Sequence, residues 1–263
     1  MRKYIEFAKR YFQKSLVYRV SYFTNLFTRI LFVYISVAIW SALYGNKAQV
    51  EGINLEEMIT YAIVSIVLSV LFGIGIILEI NHKVSTGEVA ADLMKPMDFQ
   101  LYWFFSALGV ALFNILMIIL PIAVISFLLF RVLPPHSFLL FFYFLISLSL
   151  GFLIIFSINF MVAMISFWTL RAWGFWIFKD TIVRFFAGAF VPLWFFPEKL
   201  KVVAQFLPFK LIYFLPLSIY LGKIPTQEIL SALLEQLGWA IFFFIMGRVV
   251  LRVVIRKVTI QGG

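Results

Sequence analysis

The sequence contains no cysteine. A disulfide framework, a thiolate metal site and a cysteine nucleophile are therefore excluded. Charge is also scarce: Asp, Glu, Lys and Arg make up 13% of 263 residues, where a soluble domain carries about 25%. The acids number 12 and rarely enter an apolar run. The ladder of buried carboxylates that drives a proton-coupled pump is missing. No G-x-x-x-x-G-K-[ST] is present, and Gly222-Lys223 lacks the upstream glycine of a phosphate-cradling loop. G-x-S-x-G and H-E-x-x-H are likewise absent. The chain reads as a protein that is not itself an enzyme.

What is abundant is apolar surface. The chain is 63% hydrophobic and 19% aromatic, with 33 phenylalanines and a mean hydropathy of +1.03. No soluble core of this size can absorb that much, so an all-α, polytopic membrane protein is expected, built as a single transmembrane domain over 1–263. The net charge of +10 does not call for nucleic acid. The basic residues gather at the ends of apolar runs, where anionic lipid and topology account for them. The first 20 residues are too polar for a cleavable signal peptide.

Residues 1–20 have a helical rhythm. Tyr4, Ile5, Ala8, Tyr11, Phe12 and Leu16 share one face, and Arg2, Lys3, Glu6, Lys9, Arg10, Gln13 and Lys14 the other. This is the pattern of an amphipathic helix at the membrane interface. Six spans are expected, at about 21–44, 58–78, 99–130, 137–170, 171–191 and 229–250. Arg29 lies a turn or two inside the first and is expected to snorkel to the near interface. Gly73 and Gly75 would permit close helix approach. Asn114 and Pro121 interrupt the third span, the proline as a tolerated kink. Asn25, Asn114, Ser157 and Asn159 read as interhelical glue. The fifth span holds a charge cluster of Lys179, Asp180 and Arg184, the last two spaced to pair on one helix face. It is either a functional intramembrane set or a structural salt bridge at a span end.

Residues 192–225 contain five of the nine prolines, Pro192, Pro197, Pro208, Pro216 and Pro225. The apolar pieces between them are shorter than the ~17 residues a helix needs to cross. They read as a re-entrant helical hairpin before the last span, or as a long surface loop.

The polar stretch 79–101, EINHKVSTGEVAADLMKPMDFQL, is the most informative. Ser85 and Glu88 have the spacing of a capping box, the following residues favour helix, and Lys95 before Pro96 must leave it. A helix of one to two turns is expected at the membrane surface. Six spans put both termini on one side. Fifteen of the 22 Lys and Arg fall on that side with this loop, which places it in the cytoplasm by the positive-inside bias. His82 and His136 then lie on opposite sides and cannot share a metal. The loop itself carries two lysines against Glu79, Glu88, Asp92 and Asp98, an acidic balance that suits a docking surface.

These segments resemble the permease subunits of type-2 ATP-binding-cassette exporters, in their six-span bacterial subgroup of about 260 residues. YRVSYFTNLFTRILFVYISVAIWSALY, the G-E-x-x-x-D-L-x-x-P loop (Gly87, Glu88, Asp92, Leu93, Pro96), the segment with Pro197, Leu200, Leu207, Pro208, Phe209, Pro216, Ile219, Tyr220, Leu221 and Gly222, and the Gly-Gly end carry the likeness. The resemblance implies that Ser85, Gly87, Glu88, Asp92, Leu93, Lys95 and Pro96 form a coupling helix docked on a separate ATPase subunit. That subunit would hold ATP and Mg; this chain would hold no cofactor. It also implies a homodimer or heterodimer of permeases in a bacterial or archaeal cytoplasmic membrane. The hairpin residues Pro197, Pro208, Phe209, Pro216, Tyr220 and Gly222 would form an outer lid. An ATPase-independent secondary transporter or channel, and a non-transporting membrane scaffold, are the alternatives.

Overall fold

The computed structural model describes residues 2–17, 19–73, 75–169 and 172–256. Leu170, Arg171, Lys257 and the Gly-Gly end lie outside the described residues. The elements in order are α1 (Arg2–Val17), α2 (Arg19–Tyr44), a β-hairpin of β1 (Gln49–Val50) and β2 (Ile53–Asn54), α3 (Leu55–Phe72), α4 (Ile76–Ser85), α5 (Val89–Leu93), α6 (Phe99–Asn114), α7 (Leu120–Phe130), α8 (Phe138–Met164), α9 (Trp173–Phe186), α10 (Glu198–Phe206), α11 (Phe214–Tyr220) and α12 (Thr226–Ile255). Among the described residues the protein is all-α apart from one two-residue ladder.

Among the described residues five helices are long and apolar enough to cross a membrane: Phe23–Tyr44, Leu55–Ser85, Phe99–Phe130, Phe138–Phe167 and Thr226–Ile255. The expected fifth span differs. α9 has 14 residues, about 21 Å at 1.5 Å per residue, which is short of the ~30 Å hydrocarbon core. The chain then turns at Gly188, whose φ of +75° favours glycine. The second span also differs. It is broken at Gly73–Gly75, with Gly75 in the left-handed region at φ +63°. These glycines break a helix instead of admitting a neighbour. The freed carbonyl of Val70 is met by Asn114 Nδ2 at 3.0 Å, so Asn114 does join two helices. Between α6 and α7, Ile115–Ile119 form a π-helical turn just before Pro121. The wider turn accommodates a residue that lacks an N–H and whose ring crowds the carbonyl four residues back.

The proline-rich region becomes two short helices, α10 and α11, of nine and seven residues, joined by a 3-10 turn at Pro208–Leu211. α11 is buried against α8, and its irregular entry is satisfied from α12. Gln236, fully buried, donates from Nε2 to the carbonyls of Leu211 and Ser147, both at 2.8 Å, and accepts from Ser147 Oγ at 2.9 Å. Tyr220 donates to the Leu133 carbonyl at 2.9 Å, and Gly222 packs on the ring of His136. Pro208 and Pro216 are buried, whereas Pro197 is exposed and Phe209 half-buried.

The β-hairpin turns through Glu51 and Gly52, both at positive φ, a two-residue turn whose twist matches paired strands. Asn54 then caps α3: its Oδ1 accepts from the Glu57 amide at 2.8 Å, and Glu57 Oε2 accepts from the Asn54 amide at 3.0 Å. Glu57 is ion-paired with Lys223 at 2.8 Å, tying this end of α3 to the segment before α12.

Candidate functional site

At the opposite end of the bundle, α4, α5, α6 and α1 form one connected platform. It begins with α1. Tyr4 stacks on Phe105 with ring centroids 5.3 Å apart, and Phe12 meets Phe113 at 6.0 Å. Between them the Ala8 backbone crosses Gly109 so closely that a Cβ there would lie 2.1 Å from the Ala8 carbonyl oxygen. These pairs keep a constant offset of 101 residues, so α1 runs parallel to α6. Tyr11 donates to Glu79 Oε1 at 3.1 Å and lies 3.2 Å from the Tyr102 hydroxyl. Burial, with Glu79 beside it, pushes the Tyr11 phenol well above its ordinary value, so it remains a neutral donor. Lys14 adds an ion pair to Glu79 at 2.8 Å. The outward face of α1 is Lys3, Glu6, Lys9, Arg10, Gln13 and Lys14, as its rhythm predicts; Ile5 is exposed with them.

The loop itself departs from the expected cap. Ser85 ends α4, and its Oγ donates back to the His82 carbonyl at 2.8 Å. Glu88 precedes α5 in helical geometry with no side-chain cap. The capping box is therefore not formed, because Thr86 and Gly87 turn the chain between the two residues. Gly87 takes φ +78°, a conformation that a β-carbon disfavours. The expected stop before Pro96 is present, as α5 ends at Leu93.

α5 is held from behind by Asp92. This carboxylate is 6% exposed and pairs with Lys83 and Lys95, each at 2.5 Å. The two ammonium groups lie against aromatic rings: Lys83 is 5.4 Å from Trp103, and Lys95 is 4.8 Å from Tyr102 and 5.3 Å from Phe7. Cation–π attraction adds to the ion pairs there. The Asp98 carboxylate caps α6 through the Leu101 amide at 2.8 Å and receives the Arg248 guanidinium of α12, while the Asp98 amide donates to Tyr4 Oη at 3.1 Å. Every element of the platform thus shares a polar contact with another.

The front of the loop is free. Ser85, Gly87, Glu88, Ala91, Met94 and Pro96 are exposed, while Val89 and Asp92 are buried and Leu93 and Lys95 half-buried. Glu88, Ala91 and Met94 are spaced three apart and share one face of α5. Met94 is 81% exposed. Its sequence marks it only as a helix former; an apolar residue three positions after an exposed alanine in so polar a loop was the available signal.

The Lys179, Asp180 and Arg184 cluster of α9 lies apart from this platform. Lys179 is buried and donates to Asn159 Oδ1 on α8 at 2.7 Å. Asp180 Oδ2 lies 2.8 Å from Arg184 Nε, as the i, i+4 spacing predicts.

The sequence profile of the ABC-2 family transporter proteins matches residues 29–262. The chain belongs to this family. It is accordingly an ABC transporter permease, the membrane component of its transporter. Comparison with curated proteins and with solved structures gives no match. For an ABC-2 permease, a partner ATPase is implied in general.

Proposed function

We propose that this permease is the membrane half of an ATP-driven exporter, coupled to a separate ATPase through the α4–α5–α6 loop. The observation that carries the reading is the division of the loop into a pinned back, Asp92 with Lys83 and Lys95, and a free front, Glu88, Ala91 and Met94. A segment that transmits force needs both. Asp92, Leu93 and Lys95 hold the loop; Ser85, Gly87, Glu88, Met94 and Pro96 meet the partner. ATP and Mg belong to that partner.

In this reading α9 serves as a short sixth crossing, and both termini and the loop are cytoplasmic, in line with the excess of Lys and Arg on that side. α10 and α11 roof the pathway from the outer side. Two permeases, identical or related, enclose the route in a bacterial or archaeal cytoplasmic membrane. Closure of the ATPase pair moves the platform as one body.

Co-expression with the neighbouring genes' products and native mass spectrometry test this. A mass of two permeases plus two ATPases, lost in Glu88→Arg/Met94→Asp while the permease remains folded, is expected. A permease that associates with no ATPase, or an assembly indifferent to that double substitution, overturns it.

A further inference from the structure

α2, α3 and the end of α9 enclose a half-open cavity of about 330 Å³, within the size range of small-molecule sites. Its lining combines two cations, Arg29 and Arg184, three serines, Ser36, Ser65 and Ser69, and an apolar row on α2, Phe32, Ile35 and Ile39. Along α2 the charge comes first and the apolar row follows it, with Ser36 set within that row. Ten residues separate Arg29 from Ile39, about 15 Å of helix.

The charge at the head of this cavity does not balance. Arg184 has Asp180 beside it, and Lys179, turned toward Asn159, reaches the same carboxylate only at 3.5 Å. Among the described residues no carboxylate faces Arg29; the groups that face it are the like charge of Arg184 and the buried phenol of Tyr213. Three cations thus share one acid. The Arg184 Nε–H is buried and makes no well-aligned hydrogen bond, even though Asp180 is close. Cations at membrane depth are costly unless paired. Here the one nearby acid, Asp180, is engaged by Arg184 at 2.8 Å, while the Ser65 and Ser69 hydroxyls donate to the carbonyls of Ala189 and Ser65. Arg29 therefore lines the cavity as a cation with no carboxylate among the described residues.

We propose that this cavity binds an amphiphile with an anionic headgroup, a phosphomonoester being the simplest, its charge held between Arg29 and Arg184 and its chain laid along Phe32, Ile35 and Ile39. Guanidinium groups suit phosphate oxygens because their donors form a planar fork. The inference deepens the exporter reading by giving its substrate class, and it rests on that reading only for the transport step after binding. The binding step needs no ATP.

The test uses the full chain with its ATPase in a neutral detergent, exposed to equal amounts of lysophosphatidic acid and lysophosphatidylcholine. Native mass spectrometry counts which is retained. The phosphomonoester is expected to win by at least about tenfold, Arg29→Gln to erase the preference, and Arg29→Lys, which keeps the charge without the planar fork, to keep only part of it. Lys199→Gln on the exposed face of α10 serves as the control and leaves the preference unchanged. Equal retention of the two lipids, a preference that survives Arg29→Gln and Arg184→Gln alike, or displacement by inorganic phosphate as effective as by the lipid would each overturn the proposal. Loss of ATPase association in the Glu88/Met94 variant leaves this binding intact, so the two readings fail separately.

Discussion

Replacing Asp92 by Asn keeps the shape of the side chain and removes the charge that two lysines share. Breaking one half of a buried pair costs about 3–5 kcal/mol, because the remaining charge stays desolvated. Lys83, with its side chain 18% exposed, carries most of that penalty. Lys95, at 34%, is screened by solvent and adds at most about 1 kcal/mol. The amide of Asn can still accept a hydrogen bond, so the lower end, about 3 kcal/mol, is expected. It falls on α5 alone, whose backbone bonds, Ala90 to Gly87, Ala91 to Glu88 and Met94 to Ala90, cannot hold one turn in water unaided. Amide exchange over residues 85–98 should therefore quicken by about a hundredfold. Glu88→Gln, on the exposed side, should leave it within about twofold. The double variant Lys83→Met/Asp92→Leu should recover most of the protection, since a buried pair replaced by apolar groups is often neutral. Unchanged exchange in Asp92→Asn would refute the claim that this carboxylate holds the loop.

Three further outcomes are expected. Gly109→Ala should force α1 off α6 at the Ala8 crossing, costing about 1–3 kcal/mol and exposing α1 to proteolysis while the long helices stay intact. Gln236→Leu should strand the Leu211 carbonyl and the Ser147 hydroxyl, costing about 1–3 kcal/mol, with faster exchange in 207–213 as the readout. Asn54→Ala should lower stability by about 1 kcal/mol through loss of the α3 cap, measured as a fall in the thermal midpoint in detergent.

Composition and long apolar runs made the membrane class legible, and with it the five helices long and apolar enough to cross. The Asp180–Arg184 pair and the helix stop before Pro96 followed from spacing alone. The capping box failed at Ser85/Glu88 and appeared at Asn54/Glu57, because both sites satisfy the pattern and only the backbone around them differs: Gly87 turns the first away, and the β-hairpin delivers the second extended. The break at Gly73–Gly75 was hidden because glycine inside an apolar run serves close packing and helix breaking equally well. The inward aim of Asp92 could not be read either. An acid in a polar loop looks solvated until Lys83 and Lys95 arrive from opposite sides.

The parallel seam between α1 and α6 gives the chain a closed mechanical circuit. α1 is fastened along α6 at Ala8–Gly109, and eleven residues later the chain enters α2, the helix that carries Arg29. α2 in turn packs on α3, which leads through α4 and α5 back to α6. In the exporter reading proposed above, a displacement applied at Met94 would reach Arg29 by two routes, through α4 and α3 on one side and through α6 and α1 on the other. The break at Gly73–Gly75 makes the route through α4 and α3 the softer of the two, and a headgroup held by two arginines on different helices would feel the resulting shift as a change in the spacing between its own two clamps.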